Sequence, residues 1–314
     1  MSQVVVTGTG GVGPTRARRL GSAIRTVPAA MIGLVIIATF VIIAVAAPLI
    51  EPFSSVNQSC AVFAHPSSRH WLGCDDGGID VLSELIQGGR VSMIVGVTAT
   101  LVSMGLGGGI GIIAGYFGGK IDTLLMRLTD YFLVVPALVL MIVVADVWGP
   151  SLFHVIMVIG LLLWTSTARV IRAQVKSVKE RAYISRARSL GAGHIRTLWH
   201  HVIPQIGPLL VANTVLTIGV AIFFETALAF LGLSDPTRVT WGKIIEFAFL
   251  QNAVTIGAWW VVVPPGVCIT VLVIGCFLLG QAIEDALNPR LKVAHVSVRT
   301  WRWQPRLEEG LRRR

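Results

Sequence analysis

Gly8, Gly10 and Gly13, in the stretch VVVTGTGGVG, stand at the G-x-G-x-x-G spacing that cradles a dinucleotide pyrophosphate. That chemistry also needs the glycines to open a helix, with an acid about 20 residues further on. Here Pro14 and a run of arginines follow, and the first acidic residue is Glu51, beyond a long apolar run. The glycines therefore read as part of a flexible basic leader over 1–28. No G-x-x-x-x-G-K-[ST] phosphate loop occurs either, since the nearest case, Gly119-Lys120, is followed by Ile121. His194, His200 and His201 lack a cysteine or acid at ligand spacing, so they read as interfacial histidines and no metal is expected. No nucleophile–base pair has supporting spacing, which argues against an enzyme. Two acids lie inside apolar runs, Asp130 and Glu225. Such groups line a substrate or proton path, or hydrogen-bond to a neighbouring helix. Cys60 and Cys74 share one segment and are either a disulfide or two free thiols. Cys268 and Cys276 read as buried small hydrophobes.

The elements that must position these residues are membrane spans. Hydrophobic residues make up 54% of the 314, charged residues only 13%, and the mean hydropathy is +0.75; ordinary globular domains carry about 25% charged residues. Six stretches are long enough to cross a hydrocarbon core as helix, at 29–50, 91–117, 124–147, 153–170, 209–231 and 267–286. The first could be read as a cleaved signal peptide, but its apolar run is longer than such a segment needs, so a retained anchor is expected. The loop over 51–89 carries Glu51, Asp75, Asp76, Asp80 and Glu84 among few cations and should lie outside. The leader and the segment 169–201, with eight Lys/Arg against Glu180, should lie inside. An even number of spans then places the basic tail, 291–314, inside as well. Trp301 and Trp303 among its arginines suit a resting place on anionic lipid. The formal charge of +10 follows from this topology, so no nucleic acid is expected as a partner.

Within the spans, Gly107, Gly111, Gly115 and Gly119 recur every fourth residue and offer bare backbone for another helix. Pro136 interrupts the third span, and Pro264-Pro265 precedes the sixth. The segment 234–263 is too polar for a simple span; its Trp241, Trp259 and Trp260 suit the headgroup level, so an outer re-entrant segment is expected.

The most informative stretch is KSVKERAYISRARSLGAGHIRTLWHHVIPQIGP, 176–208, too basic to span yet periodic. Tyr183, Ala187 and Leu190 recur at i, i+4 and i+7 as one apolar stripe, with Ser185, Arg186, Arg188 and Ser189 turned away. This predicts a short amphipathic helix over about 182–191. Gly191-Ala192-Gly193 stops it, and Ile195, Leu198, Trp199 and Val202 form a second stripe leading to Pro204.

The segment resembles the EAA loop of ABC-importer permeases, with Ser185-Arg186-Ala187, Gly191 and Ile203-Pro204 on its pattern, and Ser185 and Arg186 in place of the usual Glu and Ala. Other stretches, in order, resemble the dipeptide/oligopeptide/nickel permease family, second-subunit type. They are WLGCDDGGIDVLSELIQGGRVSMIVG (71–96), with Ile79 at a usual arginine, AGYFGGKIDTLLMRLTDYFLVVPALVL (114–140), ETALAFLGL (225–233), Trp241-Gly242 and EDALNPRLK (284–292). The resemblance implies an all-α polytopic membrane protein of the type I ABC importer permease fold: six transmembrane helices and a cytoplasmic coupling helix, with the permease core over 90–290. It implies peptide import across the bacterial inner membrane by alternating access, in a heterodimer with a homologous permease. The other implied partners are two cytoplasmic ATPase domains and an extracytoplasmic binding protein, with membrane lipid around them. No cofactor is expected on this chain, ATP and Mg being held by the partner ATPases. Tyr183, Ser185, Arg186, Ala187, Leu190 and Gly191 are the expected ATPase contact. A self-contained proton-coupled carrier using Asp130 and Glu225 is the alternative.

Overall fold

The computed structural model describes residues 28–55 and 57–287. The readings of the leader before Pro28 and of the tail lie outside them. In chain order the helices are α1 (Pro28–Ile50), α2 (Val81–Phe117), α3 (Gly119–Val134), α4 (Ala137–Trp148), α5 (Leu152–Lys179), α6 (Ala182–Ser189), α7 (His194–Thr197), α8 (Ile203–Phe230), α9 (Trp241–Leu250) and α10 (Trp259–Leu287). A π-helical turn, Leu198–Val202, joins α7 to α8. Five continuous helical stretches, α1, α2, α5, α7–α8 and α10, are long and apolar enough to cross a membrane; α3 with α4 makes a sixth if that bent pair is one span.

The differences from the expected boundaries have local causes. The loop expected over 51–89 ends at Asp80, because the Asp80 carboxylate accepts from Ser83 N and Ser83 Oγ, both at 2.9 Å, and starts α2 at Val81. Polar Glu84, Gln87 and Arg90 hide this first part of the helix from a hydropathy reading. The span expected over 124–147 is broken. Val135 is extended (φ −83°, ψ 131°), as a residue before proline prefers, and α3 and α4 diverge by 84° at Pro136. The last span opens at Trp259 rather than beyond Pro264-Pro265, so both prolines sit inside α10. Their missing amides leave only carbonyls of its opening turn unbonded. The stretch expected as re-entrant, 234–263, therefore holds α9, capped by the Thr240 hydroxyl on Lys243 N at 3.3 Å, a turn and the start of α10. Of its three tryptophans only Trp259 faces outward, 58% exposed. Trp241 and Trp260 are buried. Trp241 Nε1 donates to Leu85 O at 2.8 Å and its ring fills the space a side chain at Gly89 would need, while Trp260 Nε1 donates to Cys74 O at 3.2 Å.

Helices α2 and α5 form the largest interface. A Cβ at Gly111 would come within 2.6 Å of Ala168 O, and one at Gly115 within 2.8 Å of Arg172 O; Gly107 meets Trp164 O in the same way. These glycines therefore pack within the chain. Gly119 does not join them: at φ +55° it turns the chain into α3, with open space where a Cβ would be.

Candidate coupling site

The basic end of the bundle is built around α6. Helix α5 runs on to Lys179, nine residues beyond the apolar part, then Glu180 and Arg181 turn the chain and α6 starts at Ala182. Eight residues make a helix too short to persist alone, so α6 depends on what ends it and what anchors it. It ends in a Schellman closure: Gly191, at φ +87°, sends its amide to Arg188 O at 3.0 Å, and Ala192 N bonds Ala187 O at 3.1 Å.

The anchor is Ile184, 1% exposed, packed in one cluster with Tyr116 of α2, Ile171, Val175 and Val178 of α5, and Val202 and Ile206. The anchor is not part of the expected apolar stripe. Tyr183 is 38% and Leu190 89% exposed, and Ala187 is only half-buried, so those three do not form the buried seam. The second stripe divides likewise: Leu198 and Val202 pack inward, whereas Ile195 and Trp199 face out. Tyr183, Leu190, Ile195 and Trp199 are thus exposed large apolar side chains at this end, beside exposed Ser185, Arg186 and Arg188. Behind α6 lies a cleft of about 650 Å³, lined by Gly115, Gly118, Lys176, Lys179 and Arg188 among others.

Hydrogen bonds also link α6 and the segment after it to the bundle. Arg181 donates to Gln205 Oε1 at 3.5 Å, Tyr116 OH lies 3.3 Å from His194 Nδ1, and Thr197 Oγ1 donates to Gly193 O at 3.0 Å. Pro204, which has no amide and crowds the carbonyl four residues back, stands directly after the π turn and accounts for its wider winding. His194 touches Tyr116, and His201 meets Tyr183 edge-on with ring centroids 6.4 Å apart.

Beside this, α3 is tied to α5 by charge. Asp122, buried, accepts from Arg172 Nη2 at 2.8 Å, from Lys176 Nζ at 2.6 Å and from Arg172 Nε. One turn-pair along, Arg169 Nη2 donates to Asp130 at 2.5 Å, both side chains being more than half exposed. Asp130 is therefore an ion-paired group at the side of the bundle. Glu225 is the opposite case, 1% exposed on α8, with both carboxyl oxygens lacking a hydrogen bond within strict geometry among the described residues. Its polar neighbours are the hydroxyls of Ser92 on α2 and Thr240 at the start of α9. Each of those oxygens already accepts a backbone amide, from Trp241 and Lys243 respectively, so each hydroxyl proton is free to point at Glu225. The two acids lie on different helices with different surroundings and do not form one site.

At the other end, Cys60 and Cys74 are joined by a disulfide with Cα atoms 6.5 Å apart. His70 Nδ1 lies 2.9 Å from Asp80 Oδ1, and Phe53 stacks on the His70 ring at 4.5 Å. Asp75 accepts amides of Ile79 (2.6 Å) and Gly77 (3.0 Å), yet burial still pushes its carboxyl above the usual carboxylate range.

Ile184, Asp122, Arg172 and Lys176 were not singled out by the sequence. For the charged set a signal existed: Arg169, Arg172 and Lys176 at i, i+3 and i+7 share one helix face, and Asp122 and Asp130 are two turns apart.

Comparison with known proteins places this geometry. Residues 107–293 match the family described as binding-protein-dependent transport system inner membrane component. The dipeptide transport system permease protein DppC of Alkalihalophilus pseudofirmus is 35% identical over 269 residues, 84% of this chain and 86% of that protein. The oligopeptide transport system permease protein OppC of Bacillus subtilis is 34% identical over 84% of this chain and 86% of its own length. DppC of Haemophilus influenzae is 35% identical over 84% and 91%. These relatives are named as components of transport systems with a permease role. They favour that role for the chain over a self-contained carrier driven through Asp130 and Glu225.

Proposed function

Because the chain belongs to the binding-protein-dependent transport system inner membrane component family, we propose that it is the permease subunit of an ATP-driven importer of di- or oligopeptides. It forms half of the translocation pathway beside a homologous permease, receives cargo from an extracytoplasmic binding protein, and rests on two ATPase domains that hold ATP and Mg. In this reading the end that carries α6 is cytoplasmic, with both termini on that side, and the disulfide loop faces the binding protein in an oxidising compartment. The observation that carries it is α6 itself. It is closed by a Schellman turn, pinned by Ile184 to α2, α5 and α8, and turns Tyr183, Leu190, Arg186 and Arg188 outward.

Ser185 and Arg186 bring no carboxylate to the ATPase, so the contact rests on apolar burial of Tyr183 and Leu190 and on Arg186 and Arg188 meeting acidic or carbonyl groups. Closure of the ATPases on ATP displaces α6. Its anchor cluster passes that displacement to α5 and α8, which favours one of two arrangements of the bundle. The chain contributes no hydrolytic chemistry; its work is mechanical.

The test is peptide uptake into vesicles that contain the assembled transporter, with ATP inside and the binding protein outside. Uptake should require both. Uptake that ignores ATP and follows a proton gradient refutes the reading.

A further inference from the structure

A second site lies away from the coupling end, on the flank of the bundle between α1 and α2. Two cavities adjoin there. One, of about 420 Å³, is walled by Val41 and Val45 of α1 and by Met93, Ile94 and Val97 of α2, with Arg90 at its upper rim. The other, of about 230 Å³, lies mostly on the loop side of Arg90, lined by Ile50 of α1, by Leu82, Leu85 and Ile86 of α2 and by Trp241, and shares Ala44 and Met93 with the first. Apart from Arg90 the outer groove is apolar; Thr98 at its floor already donates its hydroxyl to Ile94 O at 2.6 Å.

Arg90 is the anomaly. It is half-buried and has no hydrogen bond or ion pair among the described residues. A guanidinium against hydrocarbon walls is costly unless an anion meets it or it reaches water. Its height suits an anion of one kind. Arg90 stands at the loop end of the apolar part of α2, and from there to Thr98 is eight residues, about 12 Å of helix at 1.5 Å each. That covers most of the roughly 15 Å of one leaflet.

We propose that this groove binds an anionic phospholipid of the leaflet on the disulfide-loop side, its phosphate on the Arg90 guanidinium and an acyl chain in the outer groove that runs from Arg90 toward Thr98. Arg90 supplies the planar paired donors that match phosphate oxygens, and the branched walls of α1 and α2 take the chain. The lipid thereby fills a gap that the protein leaves open between its first helix and the rest of the bundle. The site does not depend on what the transporter carries.

The experiment uses the complete transporter in detergent, stripped of lipid, with retained lipid counted by native mass spectrometry after titration with phosphatidylglycerol, phosphatidylcholine or inorganic phosphate. One phosphatidylglycerol per copy of this chain is expected, held at least tenfold more tightly than phosphatidylcholine. Arg90→Gln should lose that preference, Arg90→Lys should keep most of it, and Ala44→Trp should block the groove. Arg127→Gln, at a distant arginine, should bind as the wild type does. Equal retention by Arg90→Gln overturns the proposal, and so does displacement of the lipid by inorganic phosphate alone. Equal binding of the two lipids overturns the role of Arg90.

Discussion

Replacing Gly191 is the sharpest way to test whether α6 transmits force. Nothing lies within 4 Å of the position a Cβ would take there, so a larger side chain meets no steric block. The cost comes from φ +87°, a left-handed conformation that an ordinary L-residue adopts at an expense of about 1–2 kcal/mol. Against this, the buried hold on α6 is one side chain, Ile184, and full burial of an isoleucine contributes about 1.5–3 kcal/mol. The two quantities are of the same size, so Gly191→Ala should take away much of what keeps the helix closed and docked. A loss of 1.4 kcal/mol is a tenfold change in the docked fraction. Asparagine tolerates the left-handed region, so Gly191→Asn should stay close to wild type, and Gly191→Val should be worse than alanine. The assay is ATP hydrolysed per peptide taken up in vesicles, paired with amide exchange over 182–192. Expected are faster exchange and several-fold poorer coupling in the order Asn, Ala, Val. If alanine and valine couple as well as glycine does, the Schellman closure has no part in transmission. If exchange rises but coupling does not, α6 is not the contact.

Three other perturbations follow from the same geometry. Gly111→Leu places a side chain where a Cβ alone would meet Ala168 O at 2.6 Å; overpacking of this kind costs about 1–3 kcal/mol or more, and thermal unfolding should fall clearly below that of Gly108→Leu, whose site is open. Asp122→Ala leaves Arg172 and Lys176 without their shared acceptor, at a cost of about 1–3 kcal/mol; limited proteolysis should then cut sooner near the α3–α4 break, and unchanged cutting would show that the charges do not hold α3. Joint replacement of Cys60 and Cys74 by serine opens a short closed loop, worth about 3 kcal/mol in the chain-entropy account, and should weaken binding-protein affinity while leaving ATPase assembly intact, which a pull-down of each partner distinguishes.

The fold was legible wherever hydropathy and element coincide. The apolar runs mark the crossing helices, and the glycine spacing marks the face that α2 gives to α5. Legibility failed where polar residues belong to a helix that outlasts the membrane. Glu84 and Gln87 hide the start of α2, where burial and not a charged partner receives them, and Arg172 and Lys176 hide the end of α5, because their charge is met by Asp122, far away in sequence. The α3–α4 break was visible as Pro136, but its 84° size depends on what α3 is tied to, and Asp122 shows its cations only in three dimensions. In α6 the helix and its glycine stop were readable, yet the residue that anchors it was not. Periodicity finds apolar residues that share a face and cannot say which face meets the bundle; Ile184, one residue off the stripe, does so because the α5 turn at Glu180-Arg181 aims it at Val178 and Tyr116.

Which face is buried bears on mechanism. Had Tyr183, Ala187 and Leu190 been buried against the bundle, α6 would offer a partner mostly arginines and serines, a contact that salt would weaken. As it stands, a single isoleucine holds the helix from behind, and the larger apolar groups are presented outward with Ile195 and Trp199 beside them. A partner that covers Tyr183 and Leu190 would bury more apolar surface than Ile184 does, so α6 would be held more firmly to the partner than to its own bundle. Under load, the compliant joint would then be the Ile184 contact and the Schellman turn. The stiff joint would be the contact with the partner. Dissociation of the ATPases should accordingly be more sensitive to Leu190→Ser than to salt, whereas Ile184→Ala should leave the ATPases bound and impair only the transfer of their motion to α5 and α8.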